Sequence, residues 1–111
     1  MTDQGPIREV GVHELQPLVD AGCVVLDVRM DDEYAEAHVP GALLVPLPEL
    51  PGRLEQIPAT DTLYVICRSG ARSMSACQFL TANGRPSVNV TGGTLAWIGA
   101  GFPTATGSEA G

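Results

Sequence analysis

The sequence predicts an α/β fold in which a five-stranded, mostly parallel sheet carries helices on both faces. Short runs rich in valine, isoleucine and leucine alternate along the chain with segments of helical periodicity. One run, from Cys23 to Val28, is almost continuously apolar, as is typical of a strand covered on both faces. Strands that alternate with helices favour parallel pairing through helical crossovers.

Each element is predicted from a local signal. The predicted strands lie at 7–10, 23–28, 43–45, 62–66 and 87–90, and the predicted helices at 12–21, 31–37, 73–83 and from residue 94. The first strand is expected at an edge of the sheet. Helix 12–21 is predicted from apolar residues at helical spacing, followed by Gly22 as a stop. Pro17 either weakens that helix or belongs to its first turn.

The remaining helices have their own start and stop signals. Acidic residues from Asp31 favour a helix N-terminus there, and Gly84 is the expected stop of helix 73–83. Two prolines interrupt residues 47–54, which therefore form at most a short helix.

Length and charge bound the function. The chain has 111 residues and is expected to form one domain over residues 6–103, with a flexible N-terminus at 1–5 and a flexible tail at 104–111. Its net charge of −7 argues against nucleic-acid partners and anionic membranes. Neither a signal peptide nor a membrane-length apolar run is recognisable, so we expect a cytoplasmic protein. The oligomeric state is not readable.

The three cysteines are not expected to form a disulfide framework. Their odd number and the absence of a C-x-x-C spacing argue against structural disulfides or a zinc site. We expect no metal and no cofactor. Cys77 lies on the inward face of a predicted helix and Cys23 opens a buried strand, so both are interpreted as small core residues.

Cys67 has a different setting, in the stretch TLYVICRSGARS. It ends a predicted strand, it is followed by small and basic residues, and a helix comes next. Such a turn directs backbone N–H groups inward, and the helix adds the positive end of its dipole. With Arg68 and Arg72 alongside, we expect a thiolate near neutral pH and an anion cradle around it. The competing interpretation is a buried structural cysteine.

Three separated motifs, CRSGARS, LDVRMDDEYAEAHVPGALLVPL and VTGGTLAW, together resemble a single-domain rhodanese, a thiosulfate sulfurtransferase. The resemblance covers about Val10 to Pro103 and implies a rhodanese-like five-stranded sheet. It implies that Cys67 takes the sulfane sulfur of thiosulfate or a persulfide and passes it, as a persulfide, to cyanide or a thiol such as glutathione or thioredoxin. The implied donor-binding residues are Arg68, Ser69, Gly70, Ala71, Arg72 and Ser73, with Arg68 and Arg72 on the sulfonate.

Two other functions stay open. A non-turnover sulfur carrier or protein-interaction module would use the same loop to present a persulfide. A cysteine phosphatase or arsenate-reductase-like enzyme is disfavoured, because C-x4-R is one residue shorter than the phosphatase loop and Ile66 stands where phosphatases place a histidine.

Four further residues are interpreted as supporting the site. Asp27 and Arg29 end the second strand and are expected to form a partly buried salt bridge or loop-holding hydrogen bonds near the site, in preference to direct catalysis. Gly92 and Gly93 indicate a turn that needs positive φ or a close backbone approach, and the resemblance implies that this turn shapes the rim of the pocket. Outside the site, His38 is interpreted as a residue that holds a turn.

Overall fold

The computed structural model describes residues 6–111. Five strands and four helices alternate along the chain. They are β1 (Arg8–Val10), α1 (Val12–Asp20), β2 (Val24–Asp27), α2 (Asp31–Glu36), β3 (Leu43–Leu44), β4 (Leu63–Ile66), α3 (Ala71–Ala82), β5 (Ser87–Val90) and α4 (Gly93–Gly99). The sheet order is β1-β5-β4-β2-β3 and every pairing is parallel. The predicted α/β fold is therefore confirmed, with β1 at an edge.

Three boundaries differ from the prediction. Helix α3 begins at Ala71, two residues before the predicted start at Ser73, because Gly70 makes the turn alone with a φ of 114°. Residues 47–56 form two 3₁₀ segments, Leu47–Gly52 and Leu54–Gln56, in place of one short helix. Pro17 lies inside α1 and not in its first turn.

The core has two halves, one on each face of the sheet. Alternate strand residues point to opposite faces, so neighbours such as Val25 and Leu26 in β2 belong to different halves. On one face α1, α2 and α4 pack over the sheet, with Leu15 and Trp97 fully buried. On the other, α3 and the 3₁₀ segments cover it. Cys67 belongs to the α3 half.

Two glycines end helices as predicted. After α1, Gly22 adopts a φ of 91°, and the N–H of Cys23 donates to the carbonyl of Leu18. After α3, Gly84 adopts a φ of 78°, and Arg85 donates to Leu80 in the same pattern. Among residues 6–111, none of the helices has the length and apolar character that crossing a membrane requires.

The C-terminal tail is bonded to the domain, which differs from the flexible segment expected at 104–111. Ala105 and His38 exchange two backbone hydrogen bonds of 2.9 Å. Gly41 donates to the carbonyl of Ala110 over 2.7 Å, and Nε2 of His38 lies 3.0 Å from the same oxygen. The tail's small side chains let its backbone approach closely. The expected flexible N-terminus, residues 1–5, lies outside the described residues.

Candidate active site

The turn between β4 and α3 places a cysteine at the carboxyl end of the sheet. Cys67 directly follows the last residue of β4, and Gly70 in the left-handed region reverses the chain into α3. No side chain other than glycine adopts that φ without strain. In parallel α/β sheets this edge is where ligands bind.

The sulfur lies inside a small cradle of donors. The N–H of Gly70 approaches Sγ of Cys67 to 3.1 Å and Oγ of Ser73 approaches it to 3.3 Å. Cys67 is 1% exposed in this state. Ser73 belongs to the first turn of α3, so the helix itself places its hydroxyl below the sulfur.

Hydrogen bonds favour the anionic form of this sulfur. Burial alone would raise the pKa of the Cys67 thiol, but bonds from the Ser73 hydroxyl and from the N–H groups of Ser73, Gly70 and Ser69 outweigh it, so the pKa lies below its ordinary value. The sequence predicted a depressed pKa from the backbone N–H groups of the turn, the dipole of the following helix and the two arginines, and it did not include the Ser73 hydroxyl. Among the groups that lower the pKa of Cys67, the Ser73 hydroxyl has the largest single effect.

Arg72 was expected to bind the sulfonate of the donor, but in this structure its side chain pairs with α2. Its guanidinium makes two hydrogen bonds to the carboxylate of Glu33 on α2, of 2.7 and 2.8 Å. This pairing lowers the pKa of Glu33 to about 2. The reason is geometric: Arg72 lies on α3 itself, and its side chain points across to α2. The structure thus shows an ion pair between two helices at Arg72, and binding of the donor's sulfonate by Arg68 and Arg72 stays a prediction.

The start of α4 clamps the backbone of the cysteine loop. The N–H and the hydroxyl of Thr94 both donate to the carbonyl of Cys67, over 2.9 and 3.1 Å. The N–H of Leu95 donates to the carbonyl of Arg68 over 3.1 Å. Gly93 makes this approach possible, since a Cβ there would lie 2.5 Å from the carbonyl oxygens of Cys67 and Arg68. Gly93 thus has both the positive φ and the close backbone approach that the sequence suggested for this turn, and the approach is to the cysteine loop itself.

Asp27 and Arg29 form a buried ion pair beside the site. Nη2 of Arg29 lies 2.8 Å from Oδ2 of Asp27, and the residues are 5% and 0% exposed. The guanidinium also donates to the carbonyl of Glu33, which lies within α2, and to that of Ala37, which follows the helix. The pair therefore fixes α2 against the end of β2.

Sequence reasoning missed Asn89, which lies in β5 and is 2% exposed. Its Oδ1 accepts a hydrogen bond of 2.5 Å from the Ser73 hydroxyl. Its Nδ2 donates to Glu9 over 2.9 Å and to the carbonyl of Gly70 over 3.2 Å. The available signal was a polar residue within the apolar run of a strand predicted to be buried.

The other two cysteines lie outside the cradle. Cys77 is fully buried, and burial raises its pKa to about 12, so it is protonated at neutral pH. Burial also raises the pKa of Cys23. These findings agree with the core roles expected for both.

A cleft of about 220 Å³ opens between α2, α4 and the cysteine loop. Its lining mixes charged and apolar side chains, namely Arg29, Asp32, Glu33, Glu36, Ala37, Arg68, Thr94, Leu95 and Ile98. Leu95 and Ile98 are about half exposed, at 48% and 47%. Within residues 6–111 no group of three or more histidine, cysteine or acidic side chains is placed to hold a metal ion.

Comparisons with known proteins agree with this geometry. The Rhodanese-like domain family matches residues 11–100. A putative sulfurtransferase, YtwF, of Bacillus subtilis is 36% identical over 84% of this chain and 92% of its own. A sulfurtransferase of Allochromatium vinosum is 40% identical over 87% of this chain and 94% of its own.

Two further similarities bear on fold and role. A putative sulfur carrier protein, YrkF, of Bacillus subtilis is 34% identical over 84% of this chain and 52% of its own. The crystal structure of a rhodanese-related protein from Thermoplasma volcanium superposes with a TM-score of 0.82 at 31% identity, over 88% of this chain and 97% of that one.

Proposed function

Because the chain belongs to the rhodanese-like domain family, whose relatives here are named sulfurtransferases, we propose that it transfers sulfane sulfur through a persulfide on Cys67. The observation that carries the proposal is the cradle: one sulfur, at the carboxyl end of the sheet, held by the Gly70 N–H and the Ser73 hydroxyl. Those donors stabilise a sulfur anion before and after transfer.

The first half-reaction loads the sulfur. The Cys67 thiolate attacks the outer sulfur of thiosulfate, the S–S bond of the donor breaks, and sulfite leaves with the bonding pair. The product is Cys67–S–S⁻, whose charge the cradle offsets. Arg68 lines the neighbouring cleft and is our candidate for holding the sulfonate end. A persulfide donor would react in the same way, with a thiolate as leaving group.

The second half-reaction delivers the sulfur. Cyanide or the thiolate of glutathione or thioredoxin attacks the terminal sulfur, and the Cys67 thiolate leaves. No metal or cofactor takes part in this scheme. The three cysteines carry no disulfide, which suits the reducing cytoplasm as the proposed location.

A carrier without turnover is the second candidate, because one relative is named a putative sulfur carrier. The chemistry of loading is the same, and only the acceptor step differs. Steady-state formation of thiocyanate from thiosulfate and cyanide would favour the catalyst, while stoichiometric loading with negligible turnover would favour the carrier. The phosphatase alternative predicts turnover of an aryl phosphate.

Intact-protein mass spectrometry after incubation with thiosulfate tests the loading step. We expect a gain of one sulfur mass that cyanide removes. Cys67→Ala should show no gain, while Cys77→Ala is the matched control and should load like the natural protein, since the pKa of Cys77 is raised to about 12 by burial. Loading of Cys67→Ala, or none in the natural protein with any sulfane donor, would contradict the proposal.

A further inference from the structure

The hydroxyl of Ser73 has one proton and three acceptors within reach. Its Oγ lies 2.5 Å from Oδ1 of Asn89, 3.2 Å from the carbonyl oxygen of Gly70 and 3.3 Å from Sγ of Cys67. A hydroxyl donates only one hydrogen bond at a time. The three acceptors therefore compete, and the shortest of the contacts is the one to Asn89.

The orientation of the Asn89 amide is fixed. Its nitrogen donates to the carboxylate of Glu9 and to the carbonyl of Gly70, both of which only accept. The oxygen must therefore face Ser73. Two oxygens 2.5 Å apart need a proton between them, and Asn89 has none to offer, so the Ser73 proton points at Asn89.

This geometry determines what Ser73 does for the sulfur. While the hydroxyl donates to Asn89, its lone pairs face Sγ and accept the S–H of the neutral thiol. When the sulfur carries negative charge, the hydroxyl must turn from Asn89 in order to donate to it. Stabilising the sulfur anion through Ser73 thus costs the bond to Asn89.

We propose that Asn89 is a positioning residue that competes with the sulfur of Cys67 for the single proton of Ser73 and so limits how strongly the cradle stabilises the anion. The consequence for sulfur transfer rests on the proposed function. A thiolate that is stabilised too well attacks slowly and accumulates, whereas one matched to ambient pH attacks fastest. Asn89 would keep Cys67 nucleophilic in both half-reactions.

The surrounding charges define the background. The charge of Arg72, held by Glu33, acts on the sulfur from α3, and Cys77 on the same helix is a neutral thiol at neutral pH. Arg68 follows Cys67 in the loop, and the exposed Glu9 is two hydrogen bonds beyond Ser73 on β1. Of these groups, Glu9 loses one hydrogen bond when Asn89 is replaced. The part of a shift in Cys67 ionisation that disappears together with the Ser73 hydroxyl therefore reports the Ser73 proton.

The test replaces Asn89 by a residue of similar size that cannot accept a hydrogen bond. In Asn89→Leu the carbonyl of Gly70 keeps its bond from the N–H of Met74, 3.2 Å long, and Glu9 remains solvated. The variant therefore leaves few polar groups unpaired. The readout is the pH dependence of iodoacetamide alkylation, quantified on the Cys67 peptide by mass spectrometry.

We expect Asn89→Leu to lower the midpoint pH of alkylation. At pH values below the midpoint, the variant should contain about threefold to tenfold more thiolate than the natural protein, which corresponds to the free energy of one hydrogen bond. Ser73→Ala should raise the midpoint, and adding Asn89→Leu to Ser73→Ala should change it no further. Asn89→Ala, smaller but equally unable to accept, should shift the midpoint in the same direction if the leucine variant does not fold.

An unchanged or raised midpoint in the folded Asn89 variants would overturn the inference. So would an equal shift in the presence and absence of the Ser73 hydroxyl, which would place the effect elsewhere in the loop. The alkylation assay needs no sulfur donor. Its outcome is therefore separable from that of the thiosulfate-loading experiment, and either proposal can fail alone.

Discussion

Gly93→Ala tests the contact that holds the cysteine loop against α4. Gly93 adopts a φ of 58°, and a Cβ built there would lie 2.5 Å from the carbonyl oxygens of Cys67 and Arg68 and 2.6 Å from the carbonyl carbon of Arg68. These neighbours are backbone atoms, so no side-chain rotation relieves the overlap. Either α4 or the loop must move.

The cost has two parts that the chain allows to be separated. A left-handed alanine costs about 1 to 2 kcal/mol, offset by about 0.4 to 1 kcal/mol from the lower entropy of the unfolded chain. Overlap with packed atoms adds about 1 to 3 kcal/mol. We therefore expect Gly93→Ala to lower the free energy of unfolding by about 1 to 4.5 kcal/mol, which is less than the roughly 5 to 15 kcal/mol of an ordinary domain.

Gly101→Ala is the matched control. Gly101 has a φ of 80° with nothing within 4 Å of its Cβ position, so it carries the backbone strain without the overlap. Its expected cost is about 1 kcal/mol or less. Urea unfolding of both variants gives the two free energies, and alkylation of Cys67 reports the loop.

The difference between the two variants is the decisive quantity. Gly93→Ala should also change the reactivity of Cys67, because the bonds from Thr94 and Leu95 to the loop cannot keep their length. Gly101→Ala should not. If Gly93→Ala proves no more destabilising than Gly101→Ala and alkylates like the natural protein, α4 does not clamp the loop.

Two ion pairs give further predictions. Arg72 lowers the pKa of Glu33 to about 2. The ionised carboxylate therefore stabilises the fold fully at pH values above about 4.5, its pKa in the unfolded chain. This contribution is lost as the pH falls toward 2. Glu33→Gln should remove this pH-dependent contribution to the free energy of unfolding, which is about 1 kcal/mol for a partly exposed pair. Acid unfolding followed by circular dichroism measures it, and an unchanged pH profile would contradict the prediction. Asp27→Asn leaves Arg29 buried without its counter-charge and should cost about 3 kcal/mol, measured by denaturant unfolding; a loss of turnover per folded molecule without loss of stability would show a direct role.

The topology was predictable because its signals are local. Valine-rich runs, a glycine after each of α1 and α3, and an acidic start of α2 do not depend on distant partners. The position of Cys67 followed from them, since a residue after a parallel strand lies at the ligand-binding edge. The start of α3 was misjudged by two residues because Gly70 alone makes the turn.

Contacts between elements were not predictable. The carboxylate of Glu33 is 39 residues away from the guanidinium it holds, and Asn89 lies 16 residues beyond Ser73. A single sequence does not reveal which side chains become neighbours when the strands and helices pack together. The tail behaved likewise: its composition is that of a flexible end, but its hydrogen bonds depend on His38 and Gly41, which only the fold places beside it.

Because Arg72 pairs with Glu33 and makes no hydrogen bond to Sγ within residues 6–111, backbone and hydroxyl donors provide the hydrogen bonds to the sulfur anion. Three ion pairs among residues 6–111 involve Arg29, Arg53 and Arg72, and the hydrogen-bond donors in contact with Sγ are dipoles, an N–H and a hydroxyl. Arg72 acts on the sulfur through its charge and not through a hydrogen bond. Dipoles at contact distance discriminate by position: they favour charge on an atom at that point and do little for an anion a few ångströms away. A protein of net charge −7 can thus hold one reactive sulfur anion without becoming a general anion binder. The hydrogen-bond donors thus act on Sγ, the atom that would carry the transferred sulfur in the proposed reaction.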